Sequence, residues 1–239
     1  IDLIGKPKWP LEKYFLMRTY ENLGHIYRGR GEAGKALAAV EKQIGNITGT
    51  PGYDVEFRLA FAQLKRGKHL LALNRRAEAR ENLTTSYALL GGVTGYKNAL
   101  PIARHSALIA RDAIRSGDNA YAEIVIDRYL ADAHGMDKGY QFGLIDHIDL
   151  KIFLLAGRDD VAAVLTLMDQ RLAQTKDYSP CSVGDRYFPY VLAPLHKNTK
   201  VAAKLAKMQC GAKALTRMDY VGEHGILDIN NQLLLPPQP

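Results

Sequence analysis

Tyr20-Glu21-Asn22-Leu23-Gly24-His25-Ile26-Tyr27, followed by Gly31, Ala36 and Val40, is the stretch on which the fold turns. Tyr20, Leu23, Gly24 and Tyr27 recur at steps of three and four, so they share one face of a helix. Gly24 lets a second helix approach that face, and Gly31 suits the end of the first helix. Ala36, Val40 and Ile44 give the returning helix its own apolar stripe. A hairpin of two such helices cannot bury both faces by itself, so it needs copies.

The copies follow. Pro10 can begin the first helix, since its missing N–H costs nothing there. That helix runs to about Arg30, and Glu32 to Ile44 returns. A turn-rich break at residues 45–52 follows. The second pair starts near Asp54, a good N-cap. It carries Val55, Leu59, Ala62, Gly67 and Leu70, turns at Asn74, and returns through Ala77, Ala79, Leu83, Ser86 and Leu90 to Gly91-Gly92. The third runs from about Ala99 to Ser116 with Ile102, Ser106, Ile109 and Ala113 inward, turns at Gly117-Asp118, and returns through Ala122, Ile126 and Leu130. The fourth runs from about Phe142 to Ala156, turns at Gly157-Arg158-Asp159, and returns through Ala162, Leu165 and Met168. The turn residues Gly31, Asn74, Gly117 and Gly157 lie 43, 43 and 40 residues apart. Five residues after each stands Ala36, Ala79, Ala122 or Ala162, and four further stand Val40, Leu83, Ile126 and Thr166. A small residue at a fixed offset is what a close helix crossing requires. The competing reading is one irregular helical bundle.

This pattern resembles the tetratricopeptide-repeat superfamily. Tyr20, Leu23, Gly24, Tyr27, Gly31, Ala36 and Val40 match its first-helix, turn and second-helix positions. Ile109, Ala110, Gly117, Ala122 and Ile126 match in the third unit. The second keeps Gly67, Ala79 and Leu83, with Arg66 where an apolar residue is expected, and the fourth keeps Phe153, Gly157 and Ala162. The usual terminal proline is absent, and the period is longer than the common length of about 34. The resemblance implies an all-α fold: a right-handed superhelix of antiparallel helix pairs over residues 10–174, after a lead-in at 1–9. Such repeats serve many unrelated partners.

Residues 175–239 leave the pattern and read as a C-terminal cap or extension. An aromatic loop holds Tyr178, Tyr187, Phe188 and Tyr190. Thr199 to Met208 reads as an amphipathic helix, with Val201, Leu205 and Met208 opposite Lys200, Lys204 and Lys207; it suits the polar end of a solenoid. A small hairpin is expected around Tyr220-Val221 and Ile226 to Ile229. Leu233 to Pro239 reads as an extended end.

The 239 residues are 47% hydrophobic and 24% charged, an ordinary balance for a folded domain. No apolar run reaches the roughly 18 residues of a membrane span. The formal charge of +7 favours acidic partners. Cys181 and Cys210 stand 29 positions apart. Bonded, they would contribute roughly 3 kcal/mol by loop entropy; unbonded, they are ordinary buried thiols. The chain starts at Ile1 rather than Met, which together with the cysteines favours a bacterial periplasmic or secreted setting, with the cytoplasm as the alternative.

Catalytic signatures are missing from the sequence. None of the seven histidines sits in a metal-ligand spacing; Asp146-His147-Ile148-Asp149 fans around its helix and reads as a solvated face. Gly91-Gly92-Val93-Thr94-Gly95-Tyr96-Lys97 is not a phosphate loop, and there is no serine elbow. The expectation is a non-enzymatic scaffold without cofactor or metal. The family's groove is lined by the first helix of each unit. Just after the glycine site stand His25, Lys68, Arg111 and Lys151; Arg18 and Arg104 lie seven earlier in two units, with Arg28 and Arg115 close by. Stacked, these side chains form a basic stripe for an acidic protein or peptide, and His25 makes binding pH-dependent. The lysine–asparagine clamp of some family members is not reproduced. Two further basic clusters, Lys65, Arg66, Lys68, Arg75, Arg76 and Arg80, and Lys197 to Arg217, keep nucleic acid or another polyanion as the alternative partner. An enzyme confined to the aromatic C-terminal region is a third class.

Overall fold

The computed structural model describes residues 10–47, 55–90, 96–134, 143–174, 195, 197–207, 226–227 and 233–235. Among them are nine helices: α1 Pro10–Gly29, α2 Ala33–Ile47, α3 Val55–Ala72, α4 Arg76–Leu90, α5 Tyr96–Arg115, α6 Asn119–Ala133, α7 Leu144–Ala156, α8 Val161–Gln174 and α9 Thr199–Lys207. Two strands, β1 Ile226–Leu227 and β2 Leu233–Leu235, pair antiparallel. The hairpin expected around Ile226 is thus closed by Leu233–Leu235, a stretch whose sequence reads as an extended end; Tyr220 and Val221 lie outside the described residues. No described helix is long and apolar enough to cross a membrane.

The eight helices of the repeat region follow the expected pairs, with α5 starting at Tyr96 so that Pro101 falls inside it. Contacts divide the chain into two compact units that part within α5. One holds the chain up to Ile109; the other holds 110–134 and the residues from Gly143 onward. In the first, α1 packs on α2, α2 on α3 and α3 on α4; in the second, α6 packs on α7, α7 on α8 and α8 on α9. Met17, Ile47 and Ala62 join α1, α2 and α3, with Tyr14, Ile44, Val55 and Leu59 around them. That burial supplies the main driving force for pairing, since isolated helices of this length are marginal in water.

Each pair is closed by one backbone device. Gly31, Asn74, Gly117 and Asp159 have φ of 74°, 58°, 80° and 57°. The next residue donates its N–H to the carbonyl five back: Glu32 to Tyr27, Arg75 to Leu70 and Asp118 to Ala113 at 2.9 Å, and Asp160 to Leu155 at 3.0 Å. This satisfies carbonyls that a helix end otherwise leaves open, and Gly, Asn and Asp take the left-handed backbone most cheaply. The fourth turn therefore centres on Asp159, not Gly157, whose φ is −65°. The register shifts by two. Ala162 and Thr166 are exposed, while Val164 and Met168 are fully buried, like Ala36, Ala79 and Ala122 and like Val40, Leu83 and Ile126. The true spacings are 43, 43 and 42.

In this register, side-chain contacts recur as well. His105 and His147 stand twelve residues before their turns, and both are fully buried. Each meets the residue twelve after the preceding turn: His105 Nδ1 lies 3.2 Å from Ser86 Oγ, and His147 stacks on Tyr129 at 3.8 Å. Likewise Arg66 pairs with Glu41 at 3.5 Å and Lys151 with Asp127 at 2.9 Å, at equivalent positions two units apart. Asp146 to Asp149 is accordingly no solvated face. His147 is sealed in, and Asp149 accepts from Arg171, whose side chain has no solvent exposure, at 2.7 Å.

Candidate functional site

The residues expected to line a groove fall in both units. Arg18, His25 and Arg28 on α1, Lys68 on α3 and Arg104 on α5 belong to the first; Arg111, Arg115 and Lys151 belong to the second. In the first unit the structure brings α1 and α3 together through side chains. Lys65 reaches Glu21 at 2.6 Å, and Arg58 lies 3.6 Å from Met17 Sδ and 5.2 Å from the Tyr14 ring centre. This joint sets His25 and Arg28 beside Lys65, Lys68 and His69.

The charges feel one another. Burial, then Lys65 and Arg28, depress His25 below its ordinary pKa, against the opposing pull of Glu21. Burial, then Arg28, Lys68, His25 and Lys65, depress His69. Burial alone would raise Glu21; the Lys65 hydrogen bond and the charges of Lys65, Arg18 and His25 bring it below the usual carboxylate value. Glu21 is held by both Lys65 and Arg18 at 2.6 Å. Arg28 is exposed and pairs with no carboxylate among the described residues. The result is a cluster of cations, Arg28, Lys65 and Lys68, around exposed His25 and buried His69, with Glu21 already engaged, suited to an anionic group that brings its own charge.

Aromatic surface adjoins it. Phe61 stands at the α3 position equivalent to Arg18 and Arg104, and the Arg104 guanidinium lies 6.0 Å from its ring centre. Phe57 and Phe61 meet edge to face at 4.8 Å. Phe15 and Ile26 on α1 are 60% and 49% exposed, large values for apolar side chains on a helix bearing this charge.

The second unit is different. Arg111, 14% exposed, pairs with Asp146 at 3.7 Å. Lys151 reaches Glu123 at 2.5 Å as well as Asp127, and Arg158 holds the same Glu123 at 2.7 Å. Hydrogen bonds from Arg158 and Lys151 push Glu123 down to about 2. The shifted register puts Phe153, not Lys151, in the column with His25, Lys68 and Arg111. Arg115 is exposed at the end of α5.

The second basic cluster is interleaved with acid: Arg75 grips Glu78 through two 2.6 Å bonds, and Arg66 divides between Glu41 and Asn82. In the third, Lys204 pairs with Asp169; residues 208–217, with Cys181 and Cys210, lie outside the described residues. No group of His, Cys, Asp and Glu that would hold a metal ion occurs among the described residues. Sequence reading missed Lys65 and His69 as partners of His25 and Arg28; the signal was their spacing of four along α3, one helical turn. No family model, curated protein or solved structure matches the chain.

Proposed function

We propose that this chain is a non-enzymatic tetratricopeptide-like scaffold whose first helices stack into a right-handed superhelix and bind an acidic protein or peptide segment. The observation that carries the reading is the cluster of Arg28, Lys65 and Lys68 around His25 and the buried His69 across α1 and α3; burial, then neighbouring cations, depress both histidines, so the positive charge rests on the arginine and the lysines. The mechanism is a preorganised surface: carboxylates meet Arg28 and Arg104, and apolar side chains lie on Phe61, Phe15 and Ile26. The α9 helix suits the terminal cap of such an array. A periplasmic or secreted setting belongs to the same reading through Cys181 and Cys210.

The test is a fluorescence-anisotropy titration with labelled acidic peptide pools and their Gln/Asn-substituted counterparts. Acidic peptides are expected to bind, and Arg28→Glu with Arg104→Glu, both exposed positions, to weaken them tenfold or more. Equal binding of acidic and neutral pools, or by wild type and the double variant, sinks the reading. A labelled single strand of DNA in the same assay separates the alternative: six to ten phosphate contacts would cost about 10³–10⁵ in affinity between 50 and 200 mM salt, far more than a groove contact of two or three carboxylates.

A further inference from the structure

The repeat register shows that the exposure of Phe15 and Ile26 is peculiar to α1. Ile26 stands five residues before its turn. The residues five before the other three turns, His69, Asp112 and Leu154, are 5%, 8% and 4% exposed. Phe15 stands sixteen before its turn. In the next unit that place belongs to Arg58, which lies on Tyr14 and Met17 of α1, and in the third to Pro101, which is buried. These positions are built to be covered, and no described helix pair precedes α1 to cover its own. We propose that a second copy of this chain does so, α1 against α1 in an antiparallel twofold dimer.

The helix is self-complementary for that pairing. Phe15 and Ile26 are eleven residues, about three turns, apart, so they stand on one line about 16 Å long. Thr19 and Asn22, both exposed, lie between them on that line. The line runs opposite Gly24, which faces Val40 of α2, so it points away from its own hairpin. Two copies crossed antiparallel about a centre between Tyr20 and Glu21 set Phe15 on Ile26 of the second copy, and Thr19 on Asn22. Glu12 and Arg30 are both exposed and eighteen residues, five full turns, apart, so they share one flank of the line. The twofold axis keeps that flank on the same side in both copies, so the acid of each copy meets the base of the other. On the opposite flank Arg18 comes near its own counterpart, and Glu21 at 2.6 Å already neutralises it. A parallel pairing has no such match, since Glu12 of one copy and Arg30 of the other would then lie about 27 Å apart along the seam. The seam is one helix wide, below the roughly 1,200 Å² of stable complexes, so the dimer is reversible and weaker than about 1 μM.

Sedimentation equilibrium of the full chain from about 1 to about 500 μM brackets that affinity; reductant removes any covalent dimer through Cys181 and Cys210. A monomer–dimer equilibrium is expected. Phe15→Ser and Ile26→Ser, both at exposed positions, should each weaken it by about tenfold or more, because a twofold seam loses the contact twice. Ile124→Ser, which removes a 65% exposed apolar side chain from α6, should leave it unchanged. Arg30→Glu should weaken the dimer, and adding Glu12→Lys should restore it, a rescue that only the antiparallel register predicts. A monomer at every concentration, assembly beyond the dimer, or a dimer indifferent to Ile26→Ser overturns the proposal, and so does failure of the charge swap to rescue. The seam shares Phe15 and Ile26 with the acidic-peptide surface and does not rest on it. Glu12 and Arg30 serve the seam alone, while Arg28 and Arg104 serve the peptide alone, so the charge swap and the Arg28→Glu, Arg104→Glu variant test the two readings separately.

Discussion

Replacing Gly67 by alanine should cost stability, although alanine is the better helix former. A Cβ built at Gly67 would lie 2.5 Å from His105 Nε2, 3.2 Å from its Cδ2 and 3.4 Å from Asn82 Nδ2. The ring would have to retreat by roughly 1 Å to reach ordinary contact. It has nowhere to go. His105 is 1% exposed, and its two nitrogens lie 3.1 Å from Asn82 Nδ2 and 3.2 Å from Ser86 Oγ. Asn82 Nδ2 also donates to the Gln63 carbonyl at 2.9 Å, and Ser86 donates to the Asn82 carbonyl at 2.9 Å. With Asn82 donating to Nε2, the proton of the neutral ring sits on Nδ1 and is donated to Ser86. Overpacking costs about 1–3 kcal/mol, and breaking the Asn82–His105 bond leaves buried polar groups unmet for about another 1–3 kcal/mol. Helix propensity returns about 1 kcal/mol. The expected net loss is about 1–5 kcal/mol, centred near 3.

Urea unfolding followed by circular dichroism at pH 7 reads this, with Gly45→Ala as the matched control. Gly45 lies within α2, and a Cβ there meets nothing within 4 Å, so the same substitution should stabilise by about 0.5–1 kcal/mol. Gly24→Ala should also be tolerated, because its Cβ would meet Val40 Cγ2 at an ordinary 3.7 Å. In a His105→Ala background the Gly67→Ala penalty should shrink below about 1 kcal/mol, because the clashing ring is gone. If Gly67→Ala matches Gly45→Ala in sign and size, the close approach is not a constraint and the packing argument fails.

Acid should destabilise the fold above the carboxylate range. Burial pushes His105 and His147 down to about 3, from 6.5 when unfolded. The unfolded chain therefore binds more protons below pH 6.5; stability is full above that value and falls toward pH 3 by about 1.4 kcal/mol per unit for each histidine. Urea midpoints at pH 7, 6 and 5 should show this slope, and His147→Phe, which keeps a ring on Tyr129, should reduce it; a flat profile contradicts the burial. Asp149→Ala should cost about 3–5 kcal/mol by stranding the Arg171 guanidinium, and Asp149→Leu with Arg171→Met should recover much of it; thermal unfolding of the three variants decides. Lys151→Glu would set three carboxylates together and should cost about 1–2 kcal/mol in these part-exposed surroundings. That loss should shrink in 0.5 M NaCl, and an unchanged melting temperature would mean the Glu123–Lys151–Asp127 cluster is energetically idle.

The helices and three of the four turns were legible because they rest on local chemistry. Apolar residues at steps of three and four locate the helices, and Gly31, Asn74 and Gly117 are residues that take a left-handed turn. The fourth turn misled because Gly157 invites that conformation while Asp159, two residues on, also tolerates it; burial of Val164 and Met168 decides between them, and burial is not local. His147 was misread for the same reason. Asp146, His147 and Asp149, three polar residues in four, look solvated until Tyr129 and Arg171 are known to meet His147 and Asp149. The candidate surface was legible in its arginines and in His25. It was not legible in Lys65 and His69, whose relevance depends on α3 lying against α1.

Charge alone does not show which basic residues join one helix pair to the next, and the repeat register does. Arg66 and Lys151 share one register position and face the preceding pair, where each meets the acid ten residues after its turn, Glu41 or Asp127. His105 and His147 share another and meet Ser86 or Tyr129. The chemistry of the contact differs between units while its place does not, so these positions hold one helix pair to the next whatever the local residues are. Their charges are spent inside the scaffold, and Lys151 leaves the set of groove candidates on that ground. His25 and Arg111 share a neighbouring position, and their surroundings differ: His25 is exposed among cations, while Arg111 finds Asp146 thirteen residues before the next turn. A position whose neighbours vary from unit to unit is free to be tuned for a ligand, and in the first unit that position sits within the positive patch.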